Sequence, residues 1–444
     1  MKMSIRKKIF LFILIATTVA VFFLIALQIH SASTNNIGTS KITHINMLTN
    51  WDAYSEKNIA MSNIIKNYAN IEPDVIINNT SLRGEEFYAK LVADFSSDCA
   101  ADIVVAPPSY DIKHLYEQGY IADLSSELDS DSNWNESFDR EMLKFVQDKS
   151  GQIYGLPTDI QYIMLYCNKE LFEKYNITIP QKYSDFKSVV SSFSAAGVTP
   201  IAFGANDSDI YLYQILVSMF DNVIETENDQ DQLAAQYLKA LTEMQTLYNK
   251  GAFPSEYQHM SSDDARKMFL DNKAAMIVET NEFINDIMHG GNTYSNYSQY
   301  EILAFPYENR SLSRIVFSTV AYNAGDYTIF INKKSYEENH NTIMEFVKYL
   351  TKTDTLRLYL AQTNDIMTVK NIENKEYKMP LITECKIAVS NATKFTEMPI
   401  DITYRYIWCN FLQKKLPDML EGKISAAQML EKFNEACAKL KVKR

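Results

Sequence analysis

Residues 102–108 read Asp-Ile-Val-Val-Ala-Pro-Pro, a short apolar run that ends at two prolines. A run of this length with such an end predicts a strand. Two more strands are predicted before it, at 42–48 and 73–77, and each is followed by a segment with helical periodicity. The first of these helices has one apolar face, formed by Ala60, Ile64 and Tyr68. Strands that alternate with helices predict a parallel, doubly wound α/β sheet.

The same rhythm starts again near residue 160, which predicts a second α/β lobe. Further strands are predicted at 162–167, 274–279, 301–305, 315–322 and 327–331. The last third of the chain is predicted to be helical, and Ser425 with Gln428 has the spacing of a capping box at the terminal helix. A chain of 444 residues, 46% of them hydrophobic, also exceeds what one hydrophobic core usually organises. Two lobes are therefore expected.

The N-terminus has a basic cluster, Arg6-Lys7-Lys8, followed by an uncharged run from Ile9 to Ile29. About 20 apolar residues cross a bilayer, whereas the apolar part of a secretory signal is usually about 7–15 residues long. Residues 1–33 are therefore expected to form an uncleaved membrane anchor, with the body of the protein outside the cell. The alternative is a signal peptide cleaved at the small residues 31–33, which would release the body.

The rest of the chain is acidic and lacks the common catalytic motifs. It carries 43 Lys and Arg against 55 Asp and Glu, a net charge of −12, and the charges within residues 1–33 are all basic. Such a surface argues against nucleic-acid binding. GxSxG, GxGxxG, HExxH and phosphate-loop motifs are absent, and the histidines and cysteines lack metal-ligand spacing. The sequence predicts no catalytic residues, metal or cofactor, although the scattered carboxylates of a glycosidase would leave no such motif.

Polar and aromatic residues are placed just after several strands, where α/β folds bind ligands. Carboxylates and amides suit the hydroxyl groups of sugars, and aromatic faces suit their C–H-rich ring faces. The candidates come from stretches such as 159–162 and 279–282, and a helix cap or turn is the ordinary alternative for each. The candidate ligand-binding residues are Trp51, Asp52, Ser109, Tyr110, Asp159, Tyr162, Asp207, Asn281, Tyr322, Asn323 and Asp326.

Trp51 is one of three tryptophans and lies between Asn50 and Asp52, at the end of the first predicted strand. Its polar neighbours favour a stacking platform for a sugar ring. The alternative is a core position, because tryptophans are highly buried on average. A platform predicts that Trp51→Ala weakens sugar binding while changing stability little.

Six fragments appear in a fixed order along the chain. They are Ala-Asp-Ile-Val (101–104), Gly-Gln-Ile-Tyr-Gly-Leu-Pro (151–157), Tyr-Cys-Asn-Lys-Glu-Leu-Phe (166–172), Gly-Val-Thr-Pro-Ile-Ala (197–202), Asn-Lys-Ala-Ala-Met (272–276) and Glu-Gly-Lys-Ile-Ser-Ala-Ala (421–427). Over about 42–444 the series resembles the extracellular solute-binding proteins of carbohydrate ABC importers, the maltose-binding-like group. Two features depart from that group: no cysteine before Cys99 can carry a lipid, and Asn323-Ala324-Gly325 stands where a glycine pair is often seen.

The resemblance implies a type II periplasmic-binding-protein-like α/β fold, with two doubly wound lobes and a ligand cleft that closes about a hinge. The implied lobes are 40–158 with 306–360, and 159–305 with 361–444. The chain would cross between them near 156–161, 304–310 and 359–365.

The implied function is a monomeric carbohydrate receptor at the outer face of the membrane. It would deliver its ligand to the permease subunits of an ABC importer, without catalysis. The alternative from a different class is a membrane-anchored sugar-sensing or glycan-processing surface protein.

Overall fold

The computed structural model describes most of the chain after residue 41. The described ranges are 42–97, 100–205, 211–220, 229–289, 297–309, 316–363, 365–372, 380–392, 394–397 and 405–442. The predicted anchor at 1–33 lies outside them. Within the described residues, no helix is both long enough and apolar enough to span a membrane.

Twelve strands lie in the described ranges. They are β1 (Thr43–Thr49), β2 (Val75–Ser81), β3 (Ile103–Val105), β4 (Leu156–Pro157), β5 (Ile160–Asn168), β6 (Thr199–Ala202), β7 (Ala274–Thr280), β8 (Tyr300–Leu303), β9 (Phe305–Asn309), β10 (Val316–Ala324), β11 (Thr328–Ile331) and β12 (Lys394–Glu397).

Eighteen α-helices lie in the same ranges, with short 3-10 turns at Lys144–Val146, Tyr257–His259 and Tyr297–Gln299. The helices are α1 (Glu56–Ile71), α2 (Gly84–Ser96), α3 (Tyr110–Glu117), α4 (Ser125–Ser130), α5 (Ser132–Ser137), α6 (Arg140–Leu143), α7 (Lys169–Lys174), α8 (Tyr183–Ala195), α9 (Tyr211–Met219), α10 (Asp229–Asn249), α11 (Ser262–Leu270), α12 (Phe283–His289), α13 (Lys333–Glu338), α14 (His340–Thr351), α15 (Thr353–Thr363), α16 (Pro380–Ser390), α17 (Arg405–Leu420) and α18 (Ala426–Val442).

The first sheet has the strand order β2-β1-β3-β11-β4. Strand β1 is parallel to β2 and β3, as the alternation of strands and helices predicts, whereas β11 is antiparallel to β3 and β4. All three residues of β3 are buried, which explains the unbroken apolar run at 103–106. We call this sheet and the helices packed on it the first lobe.

The second sheet has the order β12-β10-β5-β7-β6, with β8 paired to β5 and β9 paired to β10. Its central strand β5 is antiparallel to β7, β8 and β10, so the sheet is mixed rather than wholly parallel. Strand β7 is buried along its whole length. We call this sheet and its helices the second lobe.

Helix α1 covers one side of the first sheet with the apolar face predicted from its sequence. Ala60, Ile64 and Tyr68 are buried, together with Met61. The Tyr68 ring lies 4.8 Å from the ring of Phe346 in α14. Burying side chains of this kind stabilises the fold by roughly 1.5–3 kcal/mol each, so this face holds α1 firmly in the first lobe.

The chain leaves the first sheet for the second at residues 158–159, between β4 and β5. It returns at residues 325–327, between β10 and β11. The return predicted near 304–310 is therefore wrong, because β9 and β10 both pair inside the second sheet. The assignment of residues 306–309 and 316–324 to the first lobe fails for the same reason.

The segment after α15 also stays with the first lobe longer than predicted. Residues 366–368 pair beside 158–160, through Ile160 N–H to the carbonyl of Ile366 and Thr368 N–H to the carbonyl of Thr158. The Lys370 N–H then bonds the carbonyl of Ser137 in α5. The final passage thus lies beyond Lys370 rather than near 359–365, and the second lobe begins correspondingly later than residue 361.

The predicted capping box at the last helix is formed. The Gln428 N–H donates to Ser425 Oγ at 3.1 Å, and the Ser425 N–H donates to Gln428 Oε1 at 2.9 Å. Removing a helix N-cap hydroxyl costs about 1 kcal/mol. We expect Ser425→Ala to lower the free energy of unfolding by that amount in urea melts.

The matched control is Ser188→Ala in α8, where the exposed hydroxyl bonds the carbonyl of Ser184 inside the helix. That substitution should change the free energy of unfolding by no more than about 0.5 kcal/mol. Equal losses in the two variants would show that the capping box does not stabilise α18.

Candidate functional site

A lysine with 12% of its side chain exposed lies where the two lobes meet. Helix α1 begins after its N-cap Ser55, whose side chain accepts a hydrogen bond from the Asn58 N–H, and this puts Lys57 in the first turn. The positive end of the helix dipole disfavours a lysine there. Four carboxylates surround the ammonium and compensate for both the dipole and the burial.

The ammonium makes three direct ion pairs. Lys57 Nζ lies 2.7 Å from Asp326 Oδ1 and 3.3 Å from Asp365 Oδ2, and it also donates to Glu282 Oε1. Asp159 is the fourth acidic residue beside it. We call Lys57, Asp159, Glu282, Asp326 and Asp365 the Lys57 cluster.

The members of the Lys57 cluster come from different parts of the fold. Asp159 lies on the outgoing passage and Asp326 on the returning one, while Asp365 follows α15 in the first lobe. Glu282 follows β7 and is the member that belongs to the second lobe. One ammonium therefore connects both lobes and both passages.

Neighbouring groups hold each carboxylate in place. Gln161 Nε2 donates to Glu282 Oε1 at 2.8 Å, and the Tyr359 hydroxyl donates to Asp365 Oδ2 at 2.9 Å. The Tyr327 N–H donates to Asp159 Oδ1 at 3.1 Å. These bonds fix the acids independently of Lys57.

Burial and crowding change the protonation of the cluster. Burial raises the pKa of Asp326 to about 7 and that of Asp365 to about 6, in both cases against the opposing effect of the Lys57 ammonium. Burial and the Asp326 and Asp365 charges raise the pKa of Asp159 well above its ordinary value. Near pH 7 the cluster therefore holds protons that isolated carboxylates would have lost.

Lys57 and Glu282 behave as an ion pair in this partly buried position. Burial opposes the charge on Lys57, but the four acids outweigh it and raise its pKa well above the ordinary value. Burial likewise opposes ionisation of Glu282, but Lys57 and Gln161 lower its pKa. This pair stays charged over the physiological range.

Three carboxylates of the cluster are close enough to share a cation. Asp159, Asp326 and Asp365 each offer one oxygen, and these oxygens lie within 4.8 Å of one another. Oxygen donors suit hard cations such as Ca²⁺ or Mg²⁺. The Lys57 ammonium bonds two of these three acids, so it supplies the positive charge that a metal ion would otherwise bring.

The structure brings six of the eleven sequence-predicted residues together around this cluster. Asn281 Oδ1 accepts a bond from the Tyr162 N–H at 2.6 Å, which joins the ends of β7 and β5. Tyr322 pairs with Tyr162 in the ladder between β10 and β5, and Asn323 pairs beside them. The six are Asp159, Tyr162, Asn281, Tyr322, Asn323 and Asp326.

Three other predicted residues have other local roles in the structure, and a fourth is not described. Asp52 is exposed and its Oδ1 accepts a bond from the Tyr54 N–H. Buried Ser109 caps α3 through the Ile112 N–H, and Tyr110 is the first residue of that helix. Asp207 lies outside the described residues. For Ser109 the ordinary helix-cap role is thus the one formed.

Trp51 lies in the core of the first lobe. Its side chain is 3% exposed, and its ring lies 5.8 Å from that of Tyr327 and 6.0 Å from that of Tyr359. The indole N–H has no hydrogen-bond partner among the described residues. This position matches the core alternative, so the small stability change expected for Trp51→Ala is revised below, while a sugar-stacking role stays a prediction.

Sequence reasoning missed Lys57 and Asp365. A lysine in the first turn of a helix opposes the dipole, and this was the available signal that Lys57 has a special environment. Asp365 gave no signal, because an acid after a helix is ordinary in a loop. Gln161 and Glu282 lie in stretches that the sequence did single out.

A sequence profile of the family described as bacterial extracellular solute-binding protein matches residues 54–355. The maltodextrin-binding protein MdxE of Bacillus subtilis is 26% identical over 224 residues, which cover 47% of this chain and 49% of that protein. The chain spans about half the length of the curated relatives it matches.

Solved structures share the fold over nearly their whole length. A chitin oligosaccharide binding protein has a TM-score of 0.75 at 15% identity, covering 89% of this chain and 98% of its own. The GacH receptor of Streptomyces glaucescens, solved unliganded and with acarbose, has a TM-score of 0.71 at 16% identity, covering 90% and 98%. The predicted two-lobed type II fold is confirmed.

Stability should depend on pH through Asp326. A carboxyl whose pKa is raised to about 7 on folding binds its proton more tightly in the folded state, so its contribution is present in acid and is lost as pH rises through about 7. We expect Asp326→Asn to reduce the fall in unfolding free energy between pH 5 and pH 8. One proton accounts for at most about 1.4 kcal/mol per pH unit.

The control is Asp148→Asn. Hydrogen bonds from Ser150 and other neighbours lower the pKa of Asp148 to about 2, below the pH window used. This variant should keep the wild-type slope in urea melts at each pH. An unchanged slope in Asp326→Asn would contradict the raised pKa.

Trp51→Ala should lower the free energy of unfolding by about 3–5 kcal/mol, because it empties a core aromatic site. Trp51→Phe should cost less, since it keeps a ring against Tyr327 and Tyr359 and removes the unpartnered N–H. Denaturant melts measure both. A loss below about 1 kcal/mol in Trp51→Ala would contradict the core position.

Proposed function

The chain belongs to the family of bacterial extracellular solute-binding proteins, and on this premise we propose that it binds a carbohydrate and delivers it to an ABC-type importer. Binding would close the two lobes about the passages at 158–159 and 325–327. The sugar would be released to the permease when the lobes open again.

The observation that carries this proposal is the gathering of sugar-compatible groups at the meeting point of the lobes. The amide of Gln161 and the carboxylate of Glu282 lie there, and Glu282 keeps 31% of its side chain exposed. The partly buried ring of Tyr322 lies 5.6 Å from the ring of Phe145 in the first lobe. Amides and carboxylates bond sugar hydroxyls, and ring faces stack on sugar C–H groups.

The similar proteins support the same class of ligand. One curated relative is named for maltodextrin, one structural neighbour for chitin oligosaccharide, and another was solved with acarbose. All three names denote sugars or sugar analogues. We therefore propose an oligosaccharide or a smaller sugar as the ligand.

The geometry favours binding over glycan processing. Glycosidases place two carboxyl groups about 5–5.5 Å or about 6.5–9.5 Å apart, with the sugar between them. The oxygens of Asp159, Asp326 and Asp365 lie within 4.8 Å of one another, and the Lys57 ammonium bonds two of these acids. That arrangement leaves no place for a glycosidic bond among them, so we propose binding without turnover.

We propose that the protein acts as a monomer at the outer face of the cell membrane, held by residues 1–33. Their basic cluster and uncharged run support an anchor, with cleavage near 31–33 as the alternative. N-terminal sequencing of the mature protein from membrane and medium distinguishes the two.

Sugar binding should stabilise the protein and close it. A ligand at about 100 times its dissociation constant adds about 2.7 kcal/mol to the unfolding free energy. We expect a sugar from one of two classes, maltodextrins or chitin oligosaccharides, to raise the melting temperature. The same sugar should slow hydrogen exchange where the lobes meet. No response to any mono- or oligosaccharide in the screen would contradict the proposed function.

Tyr322→Ala should weaken the binding of that sugar at least tenfold, about 1.4 kcal/mol, because it removes a ring face at the inter-lobe meeting point. The matched control is Tyr120→Ala, whose ring is 45% exposed and packs against Phe95 in the first lobe. Calorimetric titration should give wild-type affinity for the control. Equal affinities in the two variants would exclude Tyr322 from the site.

A further inference from the structure

We propose that the Lys57 ammonium is a latch between the lobes. Its bond to Glu282 holds the lobes together, and it keeps Asp326 and Asp365 as partners when the lobes separate. This rests on the proposed hinged closure. It adds a positioning residue that sets how readily the ligand-free protein opens.

The argument starts from where the partners of Lys57 are attached. Lys57 is fixed to the first lobe by the buried face of α1, and Asp365 follows α15 in the same lobe. Asp326 lies on the returning passage, which moves least when the lobes rotate about it. Separation of the lobes therefore leaves Lys57 with Asp326 and Asp365.

Glu282 moves with the second lobe instead. It follows β7 and is also bonded by Gln161 Nε2 from β5 of the same sheet, so its orientation does not depend on Lys57. Opening breaks the Lys57–Glu282 bond and leaves both groups with other partners. Because neither charge is stranded in the open state, the bond can break and form again without a large desolvation cost.

A second bond lies beside this one. Asn285 Nδ2, in α12 of the second lobe, donates to the carbonyl of Thr363 at the end of α15, at 2.8 Å. Both bonds connect the region around α12 in the second lobe to helices of the first lobe, α1 in one case and α15 in the other. Opening should therefore expose α12 and the end of α15 together.

The latch should respond to pH through all the charges that face it. Lys57 faces Asp159 and Asp326 on the two passages, Asp365 on the first-lobe side and Glu282 on the second-lobe side. The Tyr359 hydroxyl reaches the cluster through its bond to Asp365 Oδ2. Arg266, which is paired with Glu279, also lies near Glu282. Acid neutralises Asp326 and Asp365 before Glu282, so it removes the competitors for Lys57 and favours the closed form.

Two isosteric changes in the same cluster separate a latch from a structural ion pair. Glu282→Gln removes the charge on the moving lobe, and Asp365→Asn removes a charge that stays with Lys57. The control is Glu141→Gln, which breaks the exposed Lys144–Glu141 pair away from the cluster. The readout is hydrogen exchange of the full ligand-free chain at residues 283–289 and 357–363, corrected for the intrinsic effect of pH.

The latch predicts at least threefold faster exchange at these segments in Glu282→Gln, and wild-type or slower exchange in Asp365→Asn and Glu141→Gln. Wild-type exchange should slow from pH 8 to pH 5.5, and this change should vanish in Glu282→Gln. Lys57→Arg should keep wild-type exchange. Equal exchange in Glu282→Gln and Glu141→Gln, or equal opening in Glu282→Gln and Asp365→Asn, would overturn the latch.

Sugar titration of the wild type distinguishes a failure of the latch from a failure of the proposed function. Failure of every sugar to bind would reject the carbohydrate proposal and leave the exchange comparison intact. Normal sugar binding with unchanged exchange in Glu282→Gln would reject the latch alone.

Discussion

The arrangement of the two lobes depends on the burial of one ammonium ion. A lysine taken out of water must be surrounded by acceptors, and an acid taken out of water must find a cation or a proton. Lys57 meets this requirement with acids from α1's own lobe, from both passages and from the opposite lobe. The positions of these elements are thus linked, because one ammonium bonds acids from all of them and each acid that moves away gives up an ion pair with it.

The elements of the fold followed from the sequence because each carries its own periodicity. The buried run of β3 and the apolar face of α1 are local patterns, and the Ser425–Gln428 capping box spans only four residues. The points where the chain passes from one sheet to the other were harder to predict. Strands β9 and β10 are two adjacent β-patterns, and nothing within 305–324 indicates that both pair with the second sheet rather than the first.

The candidate site was predictable where chemistry coincides with a strand end, as for Asp159, Asn281 and Asp326. It was not predictable where a contact joins distant segments, since Lys57 and Asp365 are separated by most of the chain. Trp51 differs in its surroundings from what its neighbours in the sequence indicate. Its polar neighbours indicated an open position, but Tyr327 and Tyr359 arrive from the far end of the sequence and cover its ring.

Gly325 has a consequence for how the lobes can move. Its N–H bonds the carbonyl of Asp159, and a side-chain carbon at this position would lie 2.2 Å from the Asp159 carboxylate, so the two passages are in direct contact. Asp159 also pairs with Met367, which brings a third strand of backbone to the same point. Three chain segments bonded side by side cannot twist independently. We therefore expect the lobes to rotate about this shared point rather than to slide past each other.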